Sequence, residues 1–182
     1  MIRRMHEEIL SFWFEEIDPE SWWAGDPKFD ALLRERYSAV LDRASQGELY
    51  TGRATGRGRL AEIIVLDQFS RNIHRDTPRA FAQDPMALAL AQEAVAAGAL
   101  QGLAPMERNF LLMPYMHSES RVIHVVADAL FREYAPAENH EFELRHKVIV
   151  DRFGRYPHRN AILGRTSAPE EVEFLQQPGS SF

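Results

Sequence analysis

Apolar residues recur at helical spacing along almost the whole chain. Residues 2–16 place Ile2, Met5, Ile9, Phe12 and Phe14 near one stripe, which ends at Asp18-Pro19. Trp22-Trp23 lies in a short connection. Asp26-Pro27 is a strong helix start, because aspartate caps free amides and proline fits the first turn. That helix is expected to run to about Gln46 and stop at Gly47. The glycine-rich, basic stretch 51–58 is a loop, and a third helix covers about 58–73. A fourth begins at Asp84-Pro85 and ends at Gly98, its alanine-rich body favouring helix. Pro105 opens a short helix, expected to break near Pro114. Two more span about 119–134 and 137–153, with Gly154 as the stop. Ser167-Ala-Pro-Glu170 has the spacing of a capping box for a final short helix.

No strand-like alternation competes with these signals. The pattern predicts an all-α fold, a single domain over 1–176 with seven to nine helices in antiparallel pairs. Residues 177–182 are expected to form a flexible tail. No 34-residue repeat is visible in the letters.

Composition narrows the function classes. The chain has 182 residues, 45% hydrophobic and 26% charged, as expected of a soluble globular domain. A net charge of −6 argues against nucleic acid as a partner. The absence of cysteine excludes disulfides, thiolate zinc sites and a cysteine nucleophile. The N-terminal residues lack a signal-peptide core, and no apolar run approaches the ~20 residues that span a bilayer. The expected location is cytoplasmic, with no membrane partner. Charge is uneven, however: residues 144–166 carry +5 and the remainder −11. A basic zone on an acidic protein points to a local anion, either a ligand or the protein's own carboxylates.

Three polar constellations stand out. In Asp67-Gln-Phe-Ser-Arg-Asn72, Ile63, Asp67 and Arg71 fall on one helical line, and Ile64, Gln68, Asn72 and Arg75 on the next. These polar groups continue the apolar face, so they are expected to be partly buried and to need partners. An internal Asp67–Arg71 pair is one reading. In Met116-His-Ser-Glu119, His117 and Glu119 could serve as a base and its orienting carboxylate, or as structural groups at a helix start. No His-Glu-x-x-His motif occurs, and neither a metal site nor a cofactor is expected. Arg152-Phe-Gly-Arg-Tyr-Pro-His-Arg-Asn160 packs three arginines, a histidine and an asparagine onto a bent loop. Arginine forks hold carboxylate or phosphate through parallel hydrogen bonds. The stretch is therefore either an anion clamp or a loop stapled down by Asp67, Glu119 or Glu62. The glycines at 52–58 lack a P-loop ending and are read as structural. The aromatics Phe12, Trp13, Phe14, Trp22, Trp23 and Phe29 are read as core.

Several motifs in order resemble the bacterial "domain of unknown function 924" family: Phe12-Trp-Phe, Trp22-Trp23, Phe29-Asp30, Leu66-Asp-Gln-Phe-x-Arg-Asn72, Ala80-Phe-Ala-x-Asp84, Met113-Pro-Tyr-Met-His-Ser-Glu119 and Phe153-Gly-Arg-Tyr-Pro-His-Arg-Asn160. The resemblance covers nearly the whole chain. It implies a tetratricopeptide-like all-helical array and brings no established activity. Ser70 stands where that family pattern usually has proline, and His124 where it more often has glutamine.

The leading expectation is one cleft binding a small anionic metabolite, a phosphate ester or carboxylate. Asp67, Gln68, Arg71, Asn72, Arg155, Arg159 and Asn160 are its expected binding residues. If chemistry occurs, of hydrolase or lyase type, His117 or His158 is the acid/base, with Glu119 or Asp67 orienting it. A peptide- or protein-binding module, and a purely structural polar network, remain the alternatives.

Overall fold

The computed structural model describes residues 2–182, with side chains from Met5 onward. It is all-helical among these residues. Eight α-helices follow in order. They are α1 (Ile2–Ser11, extended by a π turn Phe12–Glu16), α2 (Pro27–Ser45), α3 (Gly56–Ile64, continued by a π turn Val65–Phe69 and a last turn Ser70–Ile73), α4 (Asp84–Ala96), α5 (Pro105–Met116), α6 (Arg121–Tyr134), α7 (Ala137–Phe153) and α8 (Pro169–Leu175). Short 3₁₀ turns fill several connections.

Helix α3 is the axis of the fold. Its run Leu60 to Ser70 is buried throughout, because α1, α2, α4 and α5 pack around it. A helix apolar on every side belongs inside a core. Any polar group on it is then drawn in as well, which is why Glu62, Asp67 and Gln68 are buried. From α5 the chain continues into the α6–α7 hairpin, α5 contacting both helices. This layered pairing is compatible with a tetratricopeptide-like array. Phe12, Trp13, Phe29, Phe69 and Phe110 interlock in the main core. A smaller cluster of Ile149, Val150 and Tyr156, with Phe153 and Phe174 packed on it, anchors the segment after α7. Near it, the Phe182 ring stacks on His146 with centroids 3.7 Å apart.

Three local expectations need correction. Proline 114 does not break its helix: α5 runs unbroken from Pro105 to Met116. The proline lies in the last turn, where its missing N–H affects the end of the ladder only. The third helix starts at Gly56, with the Thr55 side chain capping Gly58 N, and not at 58. The last helix is capped one residue later than Ser167: Glu171 reaches back to the Ala168 N–H at 2.8 Å. Ser167 instead accepts from Asn160 Nδ2 at 3.1 Å.

The glycine loop has a packing explanation. A Cβ on Gly58 would lie 2.0 Å from Gly52 O, and one on Gly52 would lie 1.9 Å from the His6 ring. Those residues are glycine because backbone and imidazole occupy the space of a side chain. Gly154 stops α7 in the left-handed region at φ 72°, donating to Val150 O.

Candidate functional site

The π turn in α3 carries Asp67 to the centre of a polar network. Such a turn inserts an extra residue and shifts the helix phase, so the two straight lines expected from the sequence do not persist. Asp67 and Arg71 still meet: Arg71 donates to Asp67 O at 2.9 Å and to its Oδ1 at 3.2 Å. Gln68 turns toward α5, donating to Asp67 Oδ2 at 2.6 Å and approaching Met113 Sδ. Asn72 turns toward α2, where it shares Asp30 with the fork of Arg75.

At the end of α5, His117 places Nδ1 2.7 Å from Asp67 Oδ1. Asp67 is fully buried, and burial alone would raise its carboxyl pKa. The His117 ring, protonated at the low pH where Asp67 titrates, and the Arg71 charge outweigh that and hold it below the usual carboxylate range. His117 is lowered by burial and then by Arg71, against the upward pull of Asp67. A neutral ring at pH 7 donates Nδ1–H to the carboxylate, which leaves Nε2 as a lone-pair acceptor.

The ring borders a cleft of about 410 Å³. Its walls are mostly apolar: Pro78, Phe81, Pro85, Leu88, Pro114 and Leu163. Asp84, His117, Ser118, Glu119 and Arg159 are its polar groups. The Arg71 fork holds Asp84 through bonds of 2.8 and 2.9 Å. The Arg159 guanidinium sits 4.6 Å from the ring centres of both Phe81 and Tyr156. It donates to His117 O at 3.0 Å, but reaches Asp84 Oδ2 only at 3.5 Å. Its Nε–H is buried with no acceptor among the described residues. Burial and the nearby Arg71 charge both press its pKa down. A buried guanidinium ordinarily has its donors filled, and this one does not.

Other expected site residues are engaged elsewhere. Glu119 borders the cleft, but its carboxylate takes the Arg165 fork at 2.7 and 2.9 Å and the Tyr156 N–H at 2.7 Å. It therefore holds the 154–165 loop, and Asp67 orients His117. Arg155 is committed to a fork with Glu171, both bonds 2.7 Å, and to Thr166 O. Asn160 joins Ser167, Glu171 and Arg165. His158 has a buried Nδ1 without a partner, and burial lowers it to about 4. Its ring faces Tyr156 and Phe182.

The model of a family of bacterial proteins of unknown function, DUF924, matches residues 9–179. The chain belongs to the DUF924 family. Its fold is similar to a solved structure of ATU0120, a protein of unknown function from Agrobacterium tumefaciens. The two are 32% identical over 97% of this chain and 99% of that one, with a TM-score of 0.92. No curated protein matches the chain. Among the described residues no helix is long and apolar enough to cross a membrane. No group of three or more His, Asp or Glu among them is placed to hold a metal ion.

This DUF924 chain also uses residues that sequence reasoning passed over. Asp84 has the place of a helix start in the sequence, yet it is the carboxylate between Arg71 and Arg159. Phe81 and Tyr156 clasp the Arg159 head. Both Phe81 and Asp84 lie in the Ala80-Phe-Ala-x-Asp84 motif, which was the available signal. Glu143, fully buried beside His124 at 2.7 Å, had none, because on α7 it reads as one more polar helix residue.

Proposed function

We propose that the cleft between the Pro78–Leu88 segment, the end of α5 and the Arg159 loop binds a small anionic metabolite. Arg159 is its anion ligand and His117 Nε2 a proton acceptor facing it. The observation that carries this reading is the Arg159 guanidinium. It is clasped by two rings, nearly buried, only distantly paired with Asp84, and has one N–H without any acceptor. A cleft of about 410 Å³ suits a small molecule better than a length of peptide. The Asp67–His117 pair has the form of a general base held in one tautomer by a carboxylate, so acid/base turnover of the bound ligand is part of the proposal.

The remaining polar motifs support a structural reading for themselves. Glu119–Arg165, Arg155–Glu171 and Asp30–Arg75–Asn72 are closed sets whose forks are already filled. The test is a thermal-shift panel of phosphate, sulfate, sugar phosphates and small carboxylates, on wild type and Arg159→Lys. A stabilising anion whose effect is lost in the variant supports the site. No stabilisation by any anion in the panel overturns it.

A further inference from the structure

We infer that the cleft's ligand class is the monocarboxylate with an apolar body, not the phosphate ester. This rests on the anion-site reading above and deepens it. Charge is the first argument. Asp67 and Asp84 are balanced by Arg71 and Arg159, and Glu119 by Arg165. A singly charged ligand leaves the site with one excess negative charge. A phosphate monoester, at nearly two charges, leaves about two in a largely apolar enclosure. Among the described residues no lysine and no further arginine borders the cleft to offset the second charge.

Hydrogen-bond geometry is the second. Among the described residues Arg159 is the one arginine or lysine lining the cleft, its guanidinium 4.6 Å from the ring centres of Phe81 and Tyr156. Nη2 is spent on His117 O and Nη1 reaches Asp84 only at 3.5 Å, so the guanidinium keeps one weakly held arm, enough for a carboxylate oxygen. A phosphate presents more oxygens to satisfy, for which the described lining adds only the Ser118 hydroxyl as a side-chain donor, since His117 Nε2 in the neutral ring is an acceptor. The walls are the third argument. Phe81, Pro85, Leu88 and Leu163 offer apolar surface that a phosphate would desert and an alkyl or aryl body would cover.

The experiment is thermal shift on the purified chain with acetate, butanoate, hexanoate and benzoate, set beside inorganic phosphate and glycerol phosphate. The expected result is stabilisation that grows from acetate to hexanoate, reaching roughly 5–10 °C at about 100 times the dissociation constant. Phosphate and glycerol phosphate are expected to shift the midpoint less than hexanoate. Arg159→Lys should remove the response. Leu88→Ser should weaken hexanoate roughly tenfold and acetate by less, and so tests the apolar wall even if the arginine variant folds poorly. A larger, Arg159-dependent response to glycerol phosphate would overturn the monocarboxylate assignment and leave the anion site standing. Silence from every anion would overturn both. A hexanoate response untouched by both substitutions would mean binding elsewhere and would overturn the assignment.

Discussion

His117 Nδ1 and Asp67 Oδ1 meet at 2.7 Å across fifty residues of chain, joining the end of α5 to the π turn of α3. Because Asp67 raises the His117 pKa and burial and Arg71 lower it, the ring's titration reports this contact directly. Asp67→Asn should lower the His117 pKa further and release the Nδ1–H tautomer. Ring nitrogen shifts in NMR would read both effects. An unchanged titration in the variant would mean that the carboxylate does not orient the ring.

Glu119→Gln should act on stability. Its carboxylate holds the Arg165 fork and the Tyr156 amide, and hydrogen bonds to charged groups contribute about 1.5–3 kcal/mol each. Partial exposure of the pair puts the expected loss near the lower bound. Denaturant unfolding should show this loss, with the His117 titration close to wild type. A shifted titration without destabilisation would return Glu119 to the role of orienting the base.

Arg155→Ala should weaken the docking of α8 only modestly, since the arginine of the Arg155–Glu171 fork is partly solvent-exposed. The response to anions should persist, because Arg155 spends both arms of its fork on Glu171. Comparing midpoints with and without ligand separates the two effects.

The helical order was legible because periodicity and stop signals act locally. Gly154 ends α7 at the expected residue, and Asp26 caps α2 as its position implies. The burial of Asp67 and Gln68 was legible too, since they continue the apolar face of Ile63–Leu66. What a buried polar group bonds to depends on other helices, and spacing along one helix carries no such information. Hence Asn72 could be grouped with Gln68, though Asp30 of α2 takes it, and Asp84 could pass as a cap. Arginine richness in 152–165 signalled carboxylates to be matched, but not that Arg155 and Arg165 meet the protein's own while Arg159 is left short. The glycines at 52 and 58 were marked as structural. Their reasons, His6 from α1 against Gly52 and the Gly52 carbonyl against Gly58, lie in packing between segments.

Gly58→Ala follows from that contact. The new Cβ would fall 2.0 Å from a backbone oxygen, which no rotamer change relieves. Overpacking typically costs about 1–3 kcal/mol, and backbone against backbone belongs at the upper end. Thermal unfolding should show a drop of several degrees or failure to fold. A wild-type midpoint would mean that the 50–58 turn shifts freely.

Acid should destabilise the fold before its carboxylates begin to titrate. Burial lowers His146 to about 3 and His158 to about 4, and it lowers His117 as well. His6 and His74 are displaced in the same direction. The unfolded chain takes up protons at these rings near pH 6.5, while the folded chain resists until its own lower pKa. The unfolded state therefore binds more protons below about pH 6.5, and stability falls as pH falls toward 4. Each such ring steepens the limb by up to about 1.4 kcal/mol per pH unit. Asp67, Asp30, Glu119 and Glu171 are all shifted down, so their contribution is lost only at still lower pH. The window between pH 6.5 and 5 thus reports chiefly the histidines, opposed only by Glu143, whose carboxyl burial pushes up. Denaturant midpoints across that window should fall steadily, and His146→Gln with His158→Gln should flatten the slope. A flat wild-type profile from pH 7 to 5 would mean that the buried rings accept protons within the fold.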